Sequence, residues 1–160
     1  MDYSLVDATF ESSLTLPSPN NPFADANGNI QVRPGNRLPG IPLNQLKAGV
    51  DWHPIENCTI GAVLTYFSDQ YLRGDEANQN APLNGYAVVS LHGSYKVTQH
   101  IELFANISNL LYTKYATFGA YGDPTGVGAP GVPTNGIGVD NRFLAPGAPL
   151  AVYGGVRVMF

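Results

Sequence analysis

The strongest constraint on the fold is the alternation in the last nine residues, 152–160. Apolar or glycine residues occupy positions 152, 154, 156, 158 and 160, and the charged Arg157 lies between two of them. A period of two is the spacing of a β-strand, whose successive side chains point to opposite faces. One face of this strand could contact lipid while the other contacts water. The segment therefore predicts a strand of a transmembrane β-barrel.

The composition agrees with a membrane barrel and argues against several other classes. Charged residues make up 12% of the chain, about half the usual share of a soluble domain. No segment approaches the ~18–20 consecutive apolar residues of a membrane-spanning helix. The formal net charge of −4 provides no basic surface for nucleic acid. The single cysteine, Cys58, excludes an internal disulfide.

Six segments alternate in this way, and they predict an all-β, antiparallel barrel segment of about six strands. In them Asp7, Glu11, Lys47, Asp51, Asp69, Lys96, Glu102 and Arg157 all fall on the polar side of the alternation. A lipid-facing surface should exclude charges, which cost ~2–4 kcal/mol for Arg or Lys at the bilayer midplane. A soluble sandwich with one buried face would also alternate. The predicted strands are 3–14, 44–52, 57–72, 85–97, 100–111 and 152–160.

The lengths of the connections favour the barrel over the sandwich. The links at 53–56 and 98–99 are short, whereas those at 15–43, 73–84 and 112–148 are long and rich in Gly, Pro and Asn. Successive links of antiparallel strands lie at opposite ends, so all the short links share one end. Outer-membrane barrels have short periplasmic turns and long extracellular loops. We therefore expect Phe160 at the periplasmic end.

Aromatic residues fall near the ends of the predicted strands. Trp52 and Tyr95 lie at the short-link end with Phe160, and Phe10 and Tyr66 lie toward the long-link end. Membrane barrels carry aromatic girdles at both interfaces with water. We predict that Phe10, Trp52, Tyr66 and Tyr95 belong to such girdles.

Several runs of residues resemble pieces of TonB-dependent outer-membrane receptors. The most specific is 102–119, ELFANISNLLYTKYATFG, which is similar to the penultimate strand of that family and the stretch after it. Leu111 stands where Phe is commoner in the family. The resemblance covers essentially the whole chain, from about Tyr3 to Phe160. The other runs are LPGIP at 38–42, DQYLRGD at 69–75 and Gly85-Tyr86.

The resemblance implies the fold, the location and the partners of the whole protein. It identifies residues 1–160 as the C-terminal part of a 22-stranded barrel with a plugged lumen in the outer membrane of a Gram-negative bacterium. The implied partners are membrane lipid, the barrel assembly machinery, the TonB system through the N-terminal part, and a scarce ligand such as a ferric siderophore. It also implies that the C-terminal strand carries an assembly signal. That signal comprises Val152, Val156, Val158 and Phe160.

The plug domain, the TonB-contacting segment and a signal peptide have no counterpart in these residues. Met1 is followed at once by Asp-Tyr-Ser, without a basic or apolar leader. Six strands are also fewer than the roughly eight of the smallest barrels. We therefore expect a fragment of a longer receptor. The alternative is a small structural or adhesive outer-membrane protein that closes its barrel by self-assembly.

No motif in the sequence indicates catalysis or a bound cofactor or metal. The run 126–131 fits G-x-G-x-x-G, but Pro130 stands where the helix of a nucleotide site should begin, so a loop is the better interpretation. No G-x-S-x-G elbow is present, which disfavours a barrel hydrolase. The candidate ligand-facing residues are in the 112–148 loop, where aromatic and charged side chains lie among Gly and Pro. They are Tyr115, Phe118, Tyr121, Asp123, Asp140 and Arg142.

Overall fold

The computed structural model describes residues 1–124 and 140–160, and the regular elements in them are β-strands. The predicted loop at 126–131 lies outside these residues. No described helix is long and apolar enough to cross a membrane. The strands are β1 (Asp2–Leu5), β2 (Leu14–Pro17), β3 (Asn29–Val32), β4 (Asn44–Ile55), β5 (Cys58–Phe67), β6 (Tyr86–Lys96), β7 (Ile101–Ser108), β8 (Ala116–Tyr121), β9 (Arg142–Pro146) and β10 (Ala151–Val158).

Six strands form the main sheet in the order β1-β4-β5-β6-β7-β10. Every neighbouring pair is antiparallel, and each strand pairs with the next main-sheet strand along the chain. This arrangement confirms the predicted antiparallel sheet of about six strands. β1 and β10 are its two edges.

The register confirms the separation of apolar and polar faces in β4, β5, β6, β7 and β10. One row of directly paired residues on the apolar face is Val50, Ala62, Leu91, Ile107 and Val152. The adjacent row on the opposite face is Asp51, Gly61, His92, Asn106 and Tyr153. Val50, Trp52, Val152 and Val156 are all exposed. The sheet thus presents an apolar surface that no described part of the chain covers.

The links of the main sheet alternate in length as predicted, with small corrections at their ends. β4 continues through Ile55, so the first short turn is at 56–57 and not at 53–56. β4 and β5 remain paired there, because Ile55 lies opposite Cys58 beyond a register shift. β5 ends at Phe67 and not at 72, because the chain then leaves the sheet at Ser68.

The first predicted strand, 3–14, is wrong in its extent and in its faces. β1 ends at Leu5, and within it Tyr3 lies beside Leu46 on the apolar face. Val6, Ala8 and Phe10, which alternate with the predicted polar residues Asp7 and Glu11, lie beyond β1. The backbone there pairs irregularly, with an isolated bridge between Thr9 and Arg37. In the register of β1 and β4, Thr9 would lie opposite Gly40, but it pairs with Arg37, three residues away. One alternation therefore does not run through the whole segment.

The long links contain structure that the sequence did not indicate. β2 pairs with β3, and β8 pairs with β9, as two separate hairpins. The described buried apolar side chains also lie in these links and not between the main-sheet strands; they are Ile30, Val32, Leu72 and Ala77. The core of the described chain is therefore at the long-link end of the sheet.

Candidate ligand-binding surface at the long-link end

The three long links pack together into one layer, which we call the loop layer: residues 6–43, 68–85 and the described parts of 109–150. Arg73 and Ala120 form a parallel bridge between two of these links. The Arg73 amide donates to the Gly119 carbonyl at 3.0 Å, and the Tyr121 amide donates to the Arg73 carbonyl at 2.8 Å. These backbone bonds fix the second link against the β8–β9 hairpin.

A buried carboxylate organises the centre of the loop layer. Asp75 is 1% exposed. Its Oδ1 accepts hydrogen bonds from the Gln79 amide at 3.0 Å and from Asn21 Nδ2 at 3.3 Å, and its Oδ2 accepts from the Asn80 amide at 3.0 Å. A carboxylate can be buried when its oxygens receive such donors. Asp75 thereby holds the turn at 75–80 and joins it to the first link.

Gly74 permits the close approach of the first and third links. Its φ is +93°, and an added Cβ would lie 3.2 Å from both Ser18 Oγ and Tyr121 Cβ. The Gly74 carbonyl accepts hydrogen bonds of 2.7 Å from Ser18 Oγ and from Asn21 Nδ2. The position requires glycine for its backbone conformation and for the lack of space.

Two neighbouring depressions open on the loop layer and share Tyr121 as a wall. The larger, of about 540 Å³, is lined by Leu16, Pro17, Ser18, Pro19, Asn20, Arg73, Gly74, Glu76, Ala120 and Tyr121. The smaller, of about 330 Å³, is lined by Pro22, Asn80, Ala81, Tyr121, Asp140, Asn141 and Arg142. Both volumes fall within the roughly 300–1,000 Å³ of small-molecule sites.

An ion pair and a tyrosine with a raised pKa line the smaller depression. In the smaller one, Arg142 Nη2 lies 2.8 Å from Asp140 Oδ2, and Arg142 Nε lies 2.9 Å from Asp140 Oδ1. This pairing lowers the pKa of Asp140 and raises that of Arg142. Burial raises the pKa of Tyr121, and the carboxylate of Asp75 raises it further. The Tyr121 phenol therefore remains protonated and can donate a hydrogen bond.

The structure brings together only part of the predicted ligand-facing set. Tyr121, Asp140 and Arg142 line the smaller depression, because Tyr121 pairs with Arg142 in the β8–β9 hairpin. Asp123 follows β8, outside the linings of the two depressions. The ligand contact of the whole set stays a prediction.

The two remaining aromatic residues of that set lie elsewhere. The Tyr115 ring stacks on Tyr86, with centroids 4.3 Å apart, and Tyr86 lies beside Phe67 at 5.3 Å. Phe118 approaches Gly40. Tyr115 precedes β8, Phe118 lies opposite Ala145 and Tyr121 lies opposite Arg142. The three side chains are therefore spread along the hairpin and do not meet at one site.

Sequence reasoning missed the contribution of the other two links to this surface. Ser18, Asn20, Arg73 and Glu76 line the larger depression beside Tyr121. Arg73 lies within the run 69–75, which indicated family resemblance but no location in space. The pairing of Arg73 with Ala120 and the hydrogen bond from Gln70 Nε2 to the Thr117 carbonyl bring that run to the β8–β9 hairpin.

The polar face of the main sheet carries two further polar contacts. His92 Nε2 lies 2.8 Å from Asp51 Oδ1, and this contact crosses β5 above Gly61, where a Cβ would meet both side chains. Arg157 Nη1 donates to Glu102 Oε2 at 2.8 Å. In the part of the chain that the structure describes, no three His, Cys, Asp or Glu side chains could hold a metal ion together.

The predicted membrane-facing residues lie mostly where the alternation placed them. Val152, Val156 and Val158 are exposed in β10, and Phe160 follows its end. Trp52 and Tyr95 are exposed near the short turns, and Tyr66 is exposed near the other end of β5. Phe10 lies outside the main-sheet strands. The girdle and the assembly signal stay predictions.

Residues 4–110, well over half of the chain, match the family model described as TonB dependent receptor-like, beta-barrel. Three similar solved structures are receptors. They are the siderophore receptor PiuA from Acinetobacter baumannii (16% identity, TM-score 0.63), the ferric yersiniabactin uptake receptor FyuA from Yersinia pestis (14%, 0.60), and the ferric-catecholate import receptor Fiu from E. coli K12 (19%, 0.56).

These matches cover 84%, 82% and 78% of the chain. The chain spans only 16%, 20% and 15% of the length of PiuA, FyuA and Fiu, respectively. At such low identities the structural likeness shows a shared fold.

Proposed function

The chain belongs to the TonB-dependent receptor β-barrel family, and from this premise we propose that it forms the C-terminal wall of an outer-membrane receptor in a Gram-negative bacterium. The receptor takes up a scarce ligand such as a ferric siderophore, with energy delivered through TonB. Proteins of this family are receptors and transporters and not enzymes. We assign no catalytic role to the chain.

The observation that carries the membrane assignment is the uncovered apolar face of the main sheet. Val50, Trp52, Val152 and Val156 are exposed on it, while the polar contacts Asp51–His92 and Glu102–Arg157 lie on the opposite face. An apolar surface of this extent needs lipid or a partner to cover it. Lipid outside and an aqueous lumen inside satisfy both faces.

The edges of the sheet support a larger assembly. β1 and β10 each pair on one side only, and exposed strand edges are not tolerated in the hydrocarbon region. The chain matches only 16% and 15% of the length of PiuA and Fiu. This agrees with further strands elsewhere in the receptor. We propose that those strands close the barrel and that a plug domain and the TonB contact belong to the same receptor.

The same edges favour the alternative of a small self-assembling barrel. β1 and β10 run antiparallel to each other across the six strands, so β10 of one copy could pair with β1 of another. Such an assembly would be structural or adhesive. It would need neither TonB nor a ferric ligand.

Uptake of radioactive iron by iron-starved cells tests the proposed function. We expect deletion of the gene segment encoding residues 1–160 to abolish uptake of one ferric siderophore, and deletion of TonB to give the same loss. Restoring the complete receptor gene to the first strain provides the control, and uptake should return. Unchanged uptake of a panel of ferric siderophores in the first strain would contradict the proposal.

A further inference from the structure

We propose that Arg73 binds an anionic oxygen group of the ligand, such as a carboxylate, phosphate or catecholate oxygen, in the larger depression of the loop layer. This inference rests on the proposed function, because it assigns the chemistry of the ligand that the receptor takes up. It concerns one side chain of the site and one class of ligand group.

The backbone of Arg73 is held rigidly, while its side chain is exposed. Two hydrogen bonds fix the backbone, one from Arg73 to Gly119 at 3.0 Å and one from Tyr121 to Arg73 at 2.8 Å. Arg73 lines the depression of about 540 Å³. A guanidinium has five N–H donors in a planar fork that matches carboxylate and phosphate. The fold thus presents a ready anion-binding group at a site of suitable size.

Arg73 forms no ion pair with the described residues, in contrast to Arg142, which pairs with Asp140. Asp140 accepts three hydrogen bonds from the Arg142 side chain. Within 1–124 and 140–160, Arg73 has no ion pair and no side-chain hydrogen bond. Glu76 lines the same depression, but its Oε1 accepts a hydrogen bond from the Gly74 amide at 3.1 Å. Arg73 is the cation in the lining of this depression, and Glu76 forms no described ion pair with it.

Neighbouring residues of the depression can also form hydrogen bonds with a ligand. Tyr121 lines the same depression and carries a protonated phenol. Asn20 also lines it. The unpaired guanidinium favours an anionic oxygen group at Arg73. A neutral ligand would gain much less from Arg73.

The test compares Arg73→Gln with Arg33→Gln in the complete receptor in its own outer membrane. Arg33 is an exposed arginine of the same layer that lines neither depression. The probes are an anionic ferric tricatecholate and a neutral ferric trihydroxamate, each measured as uptake against concentration. We expect Arg73→Gln to raise the half-maximal concentration of the anionic chelate at least about tenfold, as for a lost charged hydrogen bond. Arg33→Gln should change it less than about twofold, as for a surface charge outside the site.

The outcomes separate the inference from the proposed function. If the unmodified receptor takes up neither probe nor any other ferric chelate, the proposed function fails and the inference falls with it. If uptake is intact and Arg73→Gln behaves like Arg33→Gln, only the inference is overturned. An equal loss for both probes would also overturn it, since that result indicates a structural role. Arg73→Lys keeps the charge without the fork, so we expect partial recovery for the anionic chelate alone.

Discussion

Asn109 holds the end of β7 to the start of the last link, and its replacement gives the sharpest test of the packing. It is 1% exposed. Its Nδ2 donates to the Thr113 carbonyl at 2.9 Å and to the Ala148 carbonyl at 3.0 Å, and its Oδ1 accepts from the Thr113 amide at 2.8 Å. Its φ is +51°, which asparagine tolerates better than most residues.

We expect Asn109→Ala to weaken this region by roughly 4 kcal/mol. Each of the three hydrogen bonds contributes about 1 kcal/mol, and alanine at this φ costs about 1 kcal/mol. Asn109→Gly removes only the hydrogen bonds and should cost roughly 3 kcal/mol. The difference between the two variants isolates the backbone contribution.

The Tyr112 amide donates to the Asn109 backbone carbonyl at 2.9 Å, a bond that both variants keep. Its hydrogen–deuterium exchange in the membrane-embedded receptor measures this loss as a local opening free energy. Exchange should accelerate several-hundred-fold in Asn109→Ala, at about 1.4 kcal/mol for each factor of ten. Asn106→Ala is the matched control, because Asn106 lies on the same strand without a described side-chain hydrogen bond. If exchange in Asn109→Ala stays within tenfold of that control, the three hydrogen bonds do not hold the link and the reasoning is refuted.

Three further predictions concern buried or strained positions. Arg157→Met leaves Glu102, whose side chain is 11% exposed, without its cation. Urea unfolding should show that the free energy of unfolding falls by about 1–3 kcal/mol and that adding Glu102→Gln largely restores it. Equal stability of the single and double variants would count against the pair. Gly74→Ala should accelerate hydrogen exchange in 70–80 by the equivalent of about 1–3 kcal/mol because of its positive φ, whereas wild-type exchange would show that the chain accommodates the methyl group. The pKa of Tyr121 is raised in the folded chain, so the unfolded chain ionises at lower pH. The protonated Tyr121 phenol therefore adds to the free energy of unfolding in full below the unfolded pKa near 10, and this addition is lost as pH rises through the folded pKa. A 295 nm difference titration against Tyr121→Phe checks it, and a Tyr121 midpoint at or below 10 would contradict it.

Strand alternation was sufficient to predict the main sheet, because the apolar and polar faces of β4 to β7 and β10 differ along most of their length. It failed in 3–14, where Tyr3 and Phe10 lie on different sides of a register change that no period of two can represent. It also missed the two hairpins in the long links. β2 contains only four residues and ends at Pro17, so its periodicity is too short to recognise.

The candidate site could be predicted only in part, for a related reason. Tyr121 and Arg142 were identified from aromatic and charged residues within one link. Arg73 and Asp75 come from another link, and their proximity depends on hydrogen bonds across more than 40 residues of sequence, such as that between Arg73 and Gly119. Composition carries no information about such pairing.

The size of the native protein in outer-membrane fractions tests the central claim most directly. An antiserum against the β2–β3 hairpin, residues 14–32, would detect it on an immunoblot. We predict a band several times larger than the 17.1 kDa of this chain, because the chain spans only 15% to 20% of the solved receptors it resembles. A band at the size of the chain itself, with mobility that changes on boiling, would contradict the receptor and support a small self-assembling barrel.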